Sequence, residues 1–341
     1  MVDASPRSSG RACPPVTRST DLAHHIELRR RTPGDVAMLR RVVSYCGNPQ
    51  SHWERLTLTV RRSVKRVLTR LPPGHGGGRV AILCYHSIHP VKPFATATPT
   101  MFERHLAWLT EHCNVVPLDP SVLQIAGQRQ SRSPTVVLTF DDGYDDNFDN
   151  ALPILNKYGV SATFFLTTGL LQRDPTTMAR FRRERRCDDA MLSCLTWPQI
   201  HDMRSAGMAF GVHGHTHRNL AALGDNDVVR ELTTSRHILE DGLQEPITFM
   251  AYPYGKPNIH FTRTRTLPLV RQCDYELAVT TTCRAVRSTD SPLAVPRFFV
   301  ARDDVGTVED KVRGRWDVIG WWQEHSPALI QRAVSPADFT H

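Results

Sequence analysis

Val136-Val137-Leu138-Thr139-Phe140-Asp141-Asp142-Gly143 is an apolar run that stops on two carboxylates and a glycine. Its length, its β-branched start and the glycine behind it predict a buried strand ending in a turn. Successive side chains of a strand point to opposite faces, so two neighbouring acids at its end can take different roles. One can hold a metal ion while the other stays free as a base. From these residues alone, a turn-forming or capping pair is the plainer alternative.

The same texture recurs on both sides. Short apolar runs predict strands at residues 80–84, 115–118, 162–167, 208–212, 248–251, 277–281 and 298–300. Helical periodicity appears between them at 102–112, 147–158, 197–206 and 227–240. Strands alternating with helices predict an α/β fold with a mostly parallel sheet. Reactive side chains stand directly behind at least four of the strands. That favours a barrel over an open sheet, because barrel active sites are built at the C-terminal strand ends. No Gly-x-Gly-x-x-Gly or phosphate-loop pattern occurs, which counts against nucleotide-binding folds.

Behind the run at 208–212 comes His213-Gly214-His215-Thr216-His217. Three histidines in five residues, in a chain with 16 in 341, make a chance surface cluster the weaker reading. His213 and His217 meet on one face if the loop winds into a helical turn, whereas His215 falls off that face. Two imidazoles and a carboxylate form a common ligand set for Zn²⁺ or a similar ion, with positions left for water and substrate. Behind the run at 248–251, Tyr252-Pro253-Tyr254-Gly255 reads as a rigid aromatic loop. Such a loop can wall a sugar site and offer a main-chain N–H to an oxyanion.

Composition is ordinary for a globular chain, with 40% hydrophobic and 22% charged residues. The net charge of +8 is uneven: residues 1–78 hold 14 Lys/Arg against 5 Asp/Glu, and the remainder holds 28 against 29. A basic extension thus precedes a neutral body, which suits a neutral substrate. Within the extension, residues 1–25 are expected to lack structure, and a short helix is expected around 36–45. A clearer helix is predicted over 53–71, where Trp53, Leu56, Val60, Val64, Val67, Leu68 and Leu71 form one stripe flanked by arginines. No nucleic-acid-binding motif is present, so nucleic acid is not an expected partner. An anionic membrane surface is the expected contact of that stripe, and docking on the body is the alternative. Residues 311–341 are expected to form a C-terminal helix and tail.

Arg180-Phe-Arg-Arg-Glu-Arg-Arg186 reads as a solvated charged face near the barrel mouth, with an acidic-substrate contact as the alternative. Eight cysteines show no Cys-x-x-Cys spacing, so reduced thiols are expected, with Cys84 and Cys113 as small core residues. No apolar run reaches the roughly 18 residues of a membrane span, and none resembles an export signal. The expected compartment is the cytoplasm, at most peripheral to the inner membrane face.

Taken in order, Thr139-Phe-Asp-Asp-Gly143, His213-x-x-x-His217 and Tyr252-Pro-Tyr-Gly255 resemble the polysaccharide deacetylase family with its NodB-like domain, also called carbohydrate esterase family 4. Leu83-Cys-Tyr-His-Ser-Ile88, Phe102-Glu-x-His-Leu-x-Trp-Leu109, Asn150-Ala-Leu-Pro-Ile-Leu-x-Lys-Tyr-Gly159 and Ala162-Thr-Phe-Phe-Leu-Thr-Thr-Gly169 resemble its bacterial oligosaccharide-deacetylase branch. The likeness spans residues 79–302, and the catalytic domain is expected over 79–310.

The resemblance implies a distorted (β/α) barrel of about seven strands that removes acetyl groups, most often N-acetyl, from sugars with the help of a divalent metal. Carried over, Asp142, His213 and His217 are the expected metal ligands, with zinc the first expectation and cobalt or nickel the alternatives. Asp141 is the expected general base. The Tyr254 N–H, with Tyr252 beside it, is expected at the substrate carbonyl. Two departures stand out. Many relatives place an arginine where this chain has Ala251, and Arg297 in Val295-Pro-Arg-Phe298 is the expected substitute. Many also carry a late Leu-x-His as general acid, and here no histidine follows until His325. His86 is the expected acid, since rearranged relatives use a Tyr-His segment at the start of the domain. An amino-sugar N-deacetylase is therefore expected; an O-acetyl esterase or a non-catalytic glycan-binding relative are the alternatives.

Overall fold

A computed structural model describes residues 78–128 and 133–325. The helices expected at 36–45 and 53–71, the basic extension and the tail from 326 onward lie outside the described residues. So does the stripe on which the membrane expectation rests.

The chain alternates as its periodicity implies. Strand β1 (Val80–Tyr85) leads through helix α1 (Pro99–His112) to β2 (Asn114–Val115), then through α2 (Ser121–Ile125) to β3 (Thr135–Asp142). A π-helical turn, Asn147–Ala151, opens α3 (Leu152–Tyr158) before β4 (Thr163–Leu166). Helices α4 (Thr168–Leu171), α5 (Pro175–Arg185) and α6 (Trp197–Ser205) precede β5 (Ala209–Val212). Then come α7 (Asp225–Leu243), β6 (Phe249–Ala251), α8 (Thr266–Gln272), β7 (Leu277–Val279) and β8 (Phe298–Phe299). Helices α9 (Val305–Val312) and α10 (Asp317–His325) follow.

Local chemistry sets several of these boundaries. Thr98 caps α1 by accepting from the Met101 N–H, with Pro99 in the first turn, where its missing N–H costs nothing. Asp174 and Pro175 start α5 in the same way. A reciprocal Thr196–Gln199 pair starts α6.

The strands lie in the order β7-β6-β5-β4-β3-β1-β8, each pair parallel, with β2 on the side of β3. The ends of this curled sheet meet through one short strip. Val295 bridges to Val279 of β7, and three residues further on Phe298 and Phe299 pair with Leu83 and Cys84 of β1.

Strand alternation sorts the side chains into two layers. Ala81, Leu83 and Tyr85 of β1 and Val136, Leu138 and Phe140 of β3 face the helices and join the large outer core. Val80, Ile82, Val137, Phe165, Ala251, Val279 and Val295 fill the inside of the curl. By the same alternation Cys84, Thr139, Asp141 and Arg297 continue the inner face toward the C-terminal strand ends. A Cβ at Gly211 would lie 2.7 Å from the Phe165 ring, so this glycine is what lets the ring fill the interior. Among the described residues no helix is long and apolar enough to cross a membrane.

Candidate active site

The mouth of the curl gathers its polar residues from separate strand ends. Asp141 and Asp142 end β3, His213 follows β5, Tyr254 follows β6, Arg297 precedes β8 and His86 follows β1. His86, Asp141, His213, His217 and Tyr254 line one cavity, together with Arg185.

Asp142 departs from the strand's own geometry. Its φ of +76° lies in the left-handed region, a conformation that costs a non-glycine residue about 1–3 kcal/mol. The result is that both carboxylates reach one site. Asp142 Oδ1 lies 3.6 Å from His213 Nε2, and Asp141 Oδ2 lies 3.8 Å from the same nitrogen.

His213 and His217 do converge, but not through a helical turn. The loop between them turns back through Gly214 at φ +77° and His217 at φ +53°. Glu231 of α7 holds it there, its carboxylate accepting from the main-chain N–H groups of His215 and Thr216 at 2.9 and 2.8 Å. His213 Nδ1 donates to the Ala251 carbonyl at 2.9 Å, since a carbonyl can only accept. That bond leaves Nε2 as the lone-pair nitrogen facing the cavity. His217 Nε2 lies 3.5 Å from Asp142 Oδ1, and its ring is flanked edge-on by Phe181 and Tyr254. His215 points elsewhere, with Nδ1 against the Thr168 hydroxyl at 3.0 Å.

Asp142, His213 and His217 therefore present three donor atoms around one point, all mutually within 4.8 Å. Asp142 Oδ1 is buried and meets no hydrogen-bond donor among the described residues. A tetrahedral zinc with ligands at about 2.0–2.2 Å places neighbouring donor atoms about 3.3–3.6 Å apart. The two carboxylate–imidazole separations, 3.5 and 3.6 Å, fall within that range, and two imidazoles with a carboxylate are donor types that suit a divalent ion.

Asp141 is committed differently. Arg297 grips it with two parallel bonds, Nη1 to Oδ1 at 2.8 Å and Nη2 to Oδ2 at 2.7 Å, and also donates to the Thr139 hydroxyl. The Cys84 thiol donates to Oδ2 at 3.3 Å. Burial alone would raise the Asp141 carboxyl; the Arg297 guanidinium, followed by His213, outweighs it and holds the pKa down to about 2. Cys84, His86 and Asp141 form a second group of possible metal donors, but Asp141 there is already taken by Arg297.

His86 is half-buried at the cavity wall, its ring edge-on to Phe299 and its Nδ1 3.9 Å from Cys84 Sγ. Burial lowers its pKa, against the pull of Asp142 and Asp141. Tyr254 sits at φ +61°, its carbonyl fixed by the Thr281 hydroxyl at 2.7 Å and its own hydroxyl donating to Glu184 at 3.1 Å. Tyr252 does not belong to this site. Its ring stacks on Phe261 in the outer core and its hydroxyl donates to the Leu293 carbonyl, so the expectation that it walls the substrate is corrected.

A second correction concerns 180–186. The run is not simply a solvated face, because the Arg185 side chain is only 4% exposed and donates to Asp142 Oδ2 at 2.8 Å. This contact holds the Asp142 carboxyl well below the usual carboxylate range despite burial. Nothing local marks Arg185 among five arginines in seven residues. Glu231 was equally invisible, lying on an amphipathic helix far from the motif it clamps.

Residues 128–278 match the family model described as polysaccharide deacetylase. YxkH of Bacillus subtilis (strain 168), which carries a polysaccharide deacetylase designation, is 26% identical over 225 residues, covering 65% of this chain and 72% of that protein. The poly-beta-1,6-N-acetyl-D-glucosamine N-deacetylase of Staphylococcus aureus (strain MRSA252) is 22% identical over 245 residues, covering 69% of this chain and 77% of its own. Among solved structures, the Streptococcus pyogenes deacetylase PplD in complex with acetate shares the fold, with a TM-score of 0.56 at 24% identity over 71% of this chain and 99% of that one. Curled parallel sheet, ordered motifs and family match agree: residues 128–278 carry a polysaccharide deacetylase domain.

Proposed function

We propose that this hydrolase removes N-acetyl groups from an amino-sugar polymer or oligosaccharide, using a divalent ion, zinc in the first place, held by Asp142, His213 and His217. The observation that carries the reading is the buried Asp142 Oδ1. It has no hydrogen-bond donor among the described residues, and it faces two imidazole nitrogens beside a second carboxylate fixed by arginine. When bound, such an ion lowers the pKa of water from about 15.7 to about 7 and polarises a carbonyl.

The chain's own residues divide the remaining work. Asp141 takes a proton from the water that attacks the acetyl carbon, and the Arg297 fork keeps its oxygens aimed while it does so. With a pKa near 2 it is a weak base, so it serves only a water made acidic by the ion. The main-chain N–H of Tyr254 has no acceptor of its own among the described residues and donates to the developing oxyanion. His86 gives its proton to the leaving nitrogen. The C–N bond breaks, acetate departs and the sugar keeps a free amine.

The test is acetate release from N-acetylated β-1,6- and β-1,4-linked glucosamine oligomers, using metal-stripped protein before and after reloading with zinc. Release only after reloading supports the proposal. Release confined to O-acetylated sugars moves the reading to an ester hydrolase, and no bound metal in any preparation removes the ligand assignment.

His86→Ala is expected to bind metal normally and to lose about 10²–10⁴-fold in turnover, the usual contribution of a placed acid. Turnover within a few-fold of the parent would remove His86 from the mechanism.

A further inference from the structure

Helix α5 presents one face to the site, and three of its residues touch different parts of it. The Phe181 ring stands edge-on to His217 at 4.9 Å, and Glu184 accepts the Tyr254 hydroxyl. Arg185, one turn beyond Phe181 and stacked over its ring at 5.4 Å, reaches Asp142. The guanidinium is itself held from behind, since its Nε donates to the hydroxyl of the fully buried Tyr144 at 2.9 Å. Tyr144 in turn packs on Phe94 within a small apolar cluster that also includes Phe181 and Leu170.

The two oxygens of Asp142 are thereby made unequal. Oδ2 accepts from a rigid, permanently charged donor, while Oδ1 faces the imidazole nitrogens without any donor among the described residues. A free carboxylate can offer a metal either one oxygen or both. One whose second oxygen is bonded to a buried guanidinium can offer only the first. We propose that Arg185 is a positioning residue that fixes Asp142 as a one-oxygen ligand and sets its rotamer before any ion arrives, with Tyr144 anchoring the guanidinium. The proposal rests on the metal reading above.

A rival account gives Arg185 no such role and makes it a bare positive charge beside the centre. The two differ in sign. Removing a repelling charge strengthens binding of a dication, whereas removing an orienting partner weakens it, typically about 10–100-fold. They also differ at Tyr144, because losing its hydroxyl, which meets both Arg185 and Asp142, leaves the arginine's charge in place and removes only bonds that hold the geometry.

The experiment uses Co²⁺ alone as the probe, with the full-length chain as parent, Arg185→Met and Tyr144→Phe, each checked for folding by circular dichroism. Affinity is measured by titration, and the visible absorption of the bound Co²⁺ reports its coordination. Arg185→Met is expected to bind Co²⁺ about 10–100-fold more weakly, with a less intense band as both oxygens of Asp142 become available. Tyr144→Phe is expected to shift both readouts in the same direction by less, and it carries the test if Arg185→Met does not fold. Unchanged affinity and spectrum in the folded variants, or tighter binding by Arg185→Met, overturns the role of Arg185 and leaves the metal site standing. A parent chain that binds no Co²⁺ overturns the metal reading itself.

Discussion

Asp141→Asn is expected to lower acetate release by about 10²–10⁴-fold while leaving metal content unchanged. An amide cannot take up the proton that the attacking water must lose, but it keeps the shape of the carboxylate. The proposed ligands Asp142, His213 and His217 keep their own partners, the Ala251 carbonyl for His213 and Arg185 for Asp142. Stability falls as well, because the Arg297 guanidinium, completely buried, loses the charge that neutralises it. Initial rates, metal analysis and a thermal melt on the same preparation separate these effects. A variant that retains its metal and releases acetate within threefold of the parent would show that Asp141 is not the base.

Arg297→Met reverses the imbalance and is expected to have the largest effect on folding. It strands the Asp141 carboxylate in the barrel interior, and breaking a buried pair from one side costs about 3–5 kcal/mol. The pH dependence gives the signature. In the parent, the Asp141 pKa is depressed to about 2, so its contribution is present above the unfolded value near 3.9 and is lost as pH falls through about 2. In the variant, burial without the guanidinium raises the folded pKa above the unfolded one. The penalty is then greatest at neutral pH and fades as the carboxyl takes up a proton. Urea unfolding at pH 7 and near pH 4 is expected to show a deficit that narrows on acidification. A deficit that is constant or widens would mean that Arg297 stabilises the barrel by some route other than Asp141.

Much of this architecture could be read from local patterns. An apolar run of the length of β3 is a strand wherever it occurs, and its alternation places Val137, Thr139 and Asp141 on one face without further information. Arg297 could be nominated because Ala251 left a place for a guanidinium empty, and strand alternation puts Arg297 on the same inner face as Val295. The same rule, applied one residue past β6, would have placed Tyr252 outside with Phe261, since Ala251 points in. Composition marks an aromatic loop there, whereas phase along the strand marks which of its rings points outward.

Arg185 was beyond any such rule. Four arginines on a helix and a fifth at its C-cap look the same whether or not one of them finds a buried carboxylate, and only the tertiary placement of α5 over the mouth decides it. The histidine loop failed in a third way. Four-residue spacing predicts convergence through a helical turn, but left-handed backbone at Gly214 and His217, clamped by Glu231, reaches the same end by another path.

The strip that joins the two ends of the sheet also has a meaning in time. Ribosomes deliver a chain from its N-terminus, so everything through β7 is available before Val295, Arg297 and Phe298 emerge. At that stage Asp142, His213 and His217 already exist, and so do Arg185 and Glu231. Asp141, however, has no guanidinium beside it, and β1 has an open edge where Phe298 and Phe299 will pair. One short segment then seals that edge and aims the base in the same event, pairing residues from opposite ends of the domain. Synthesis thus makes the proposed hydrolytic centre complete only when the barrel is, and a chain interrupted before that strip would carry the proposed ligands Asp142, His213 and His217 without the arginine that holds Asp141.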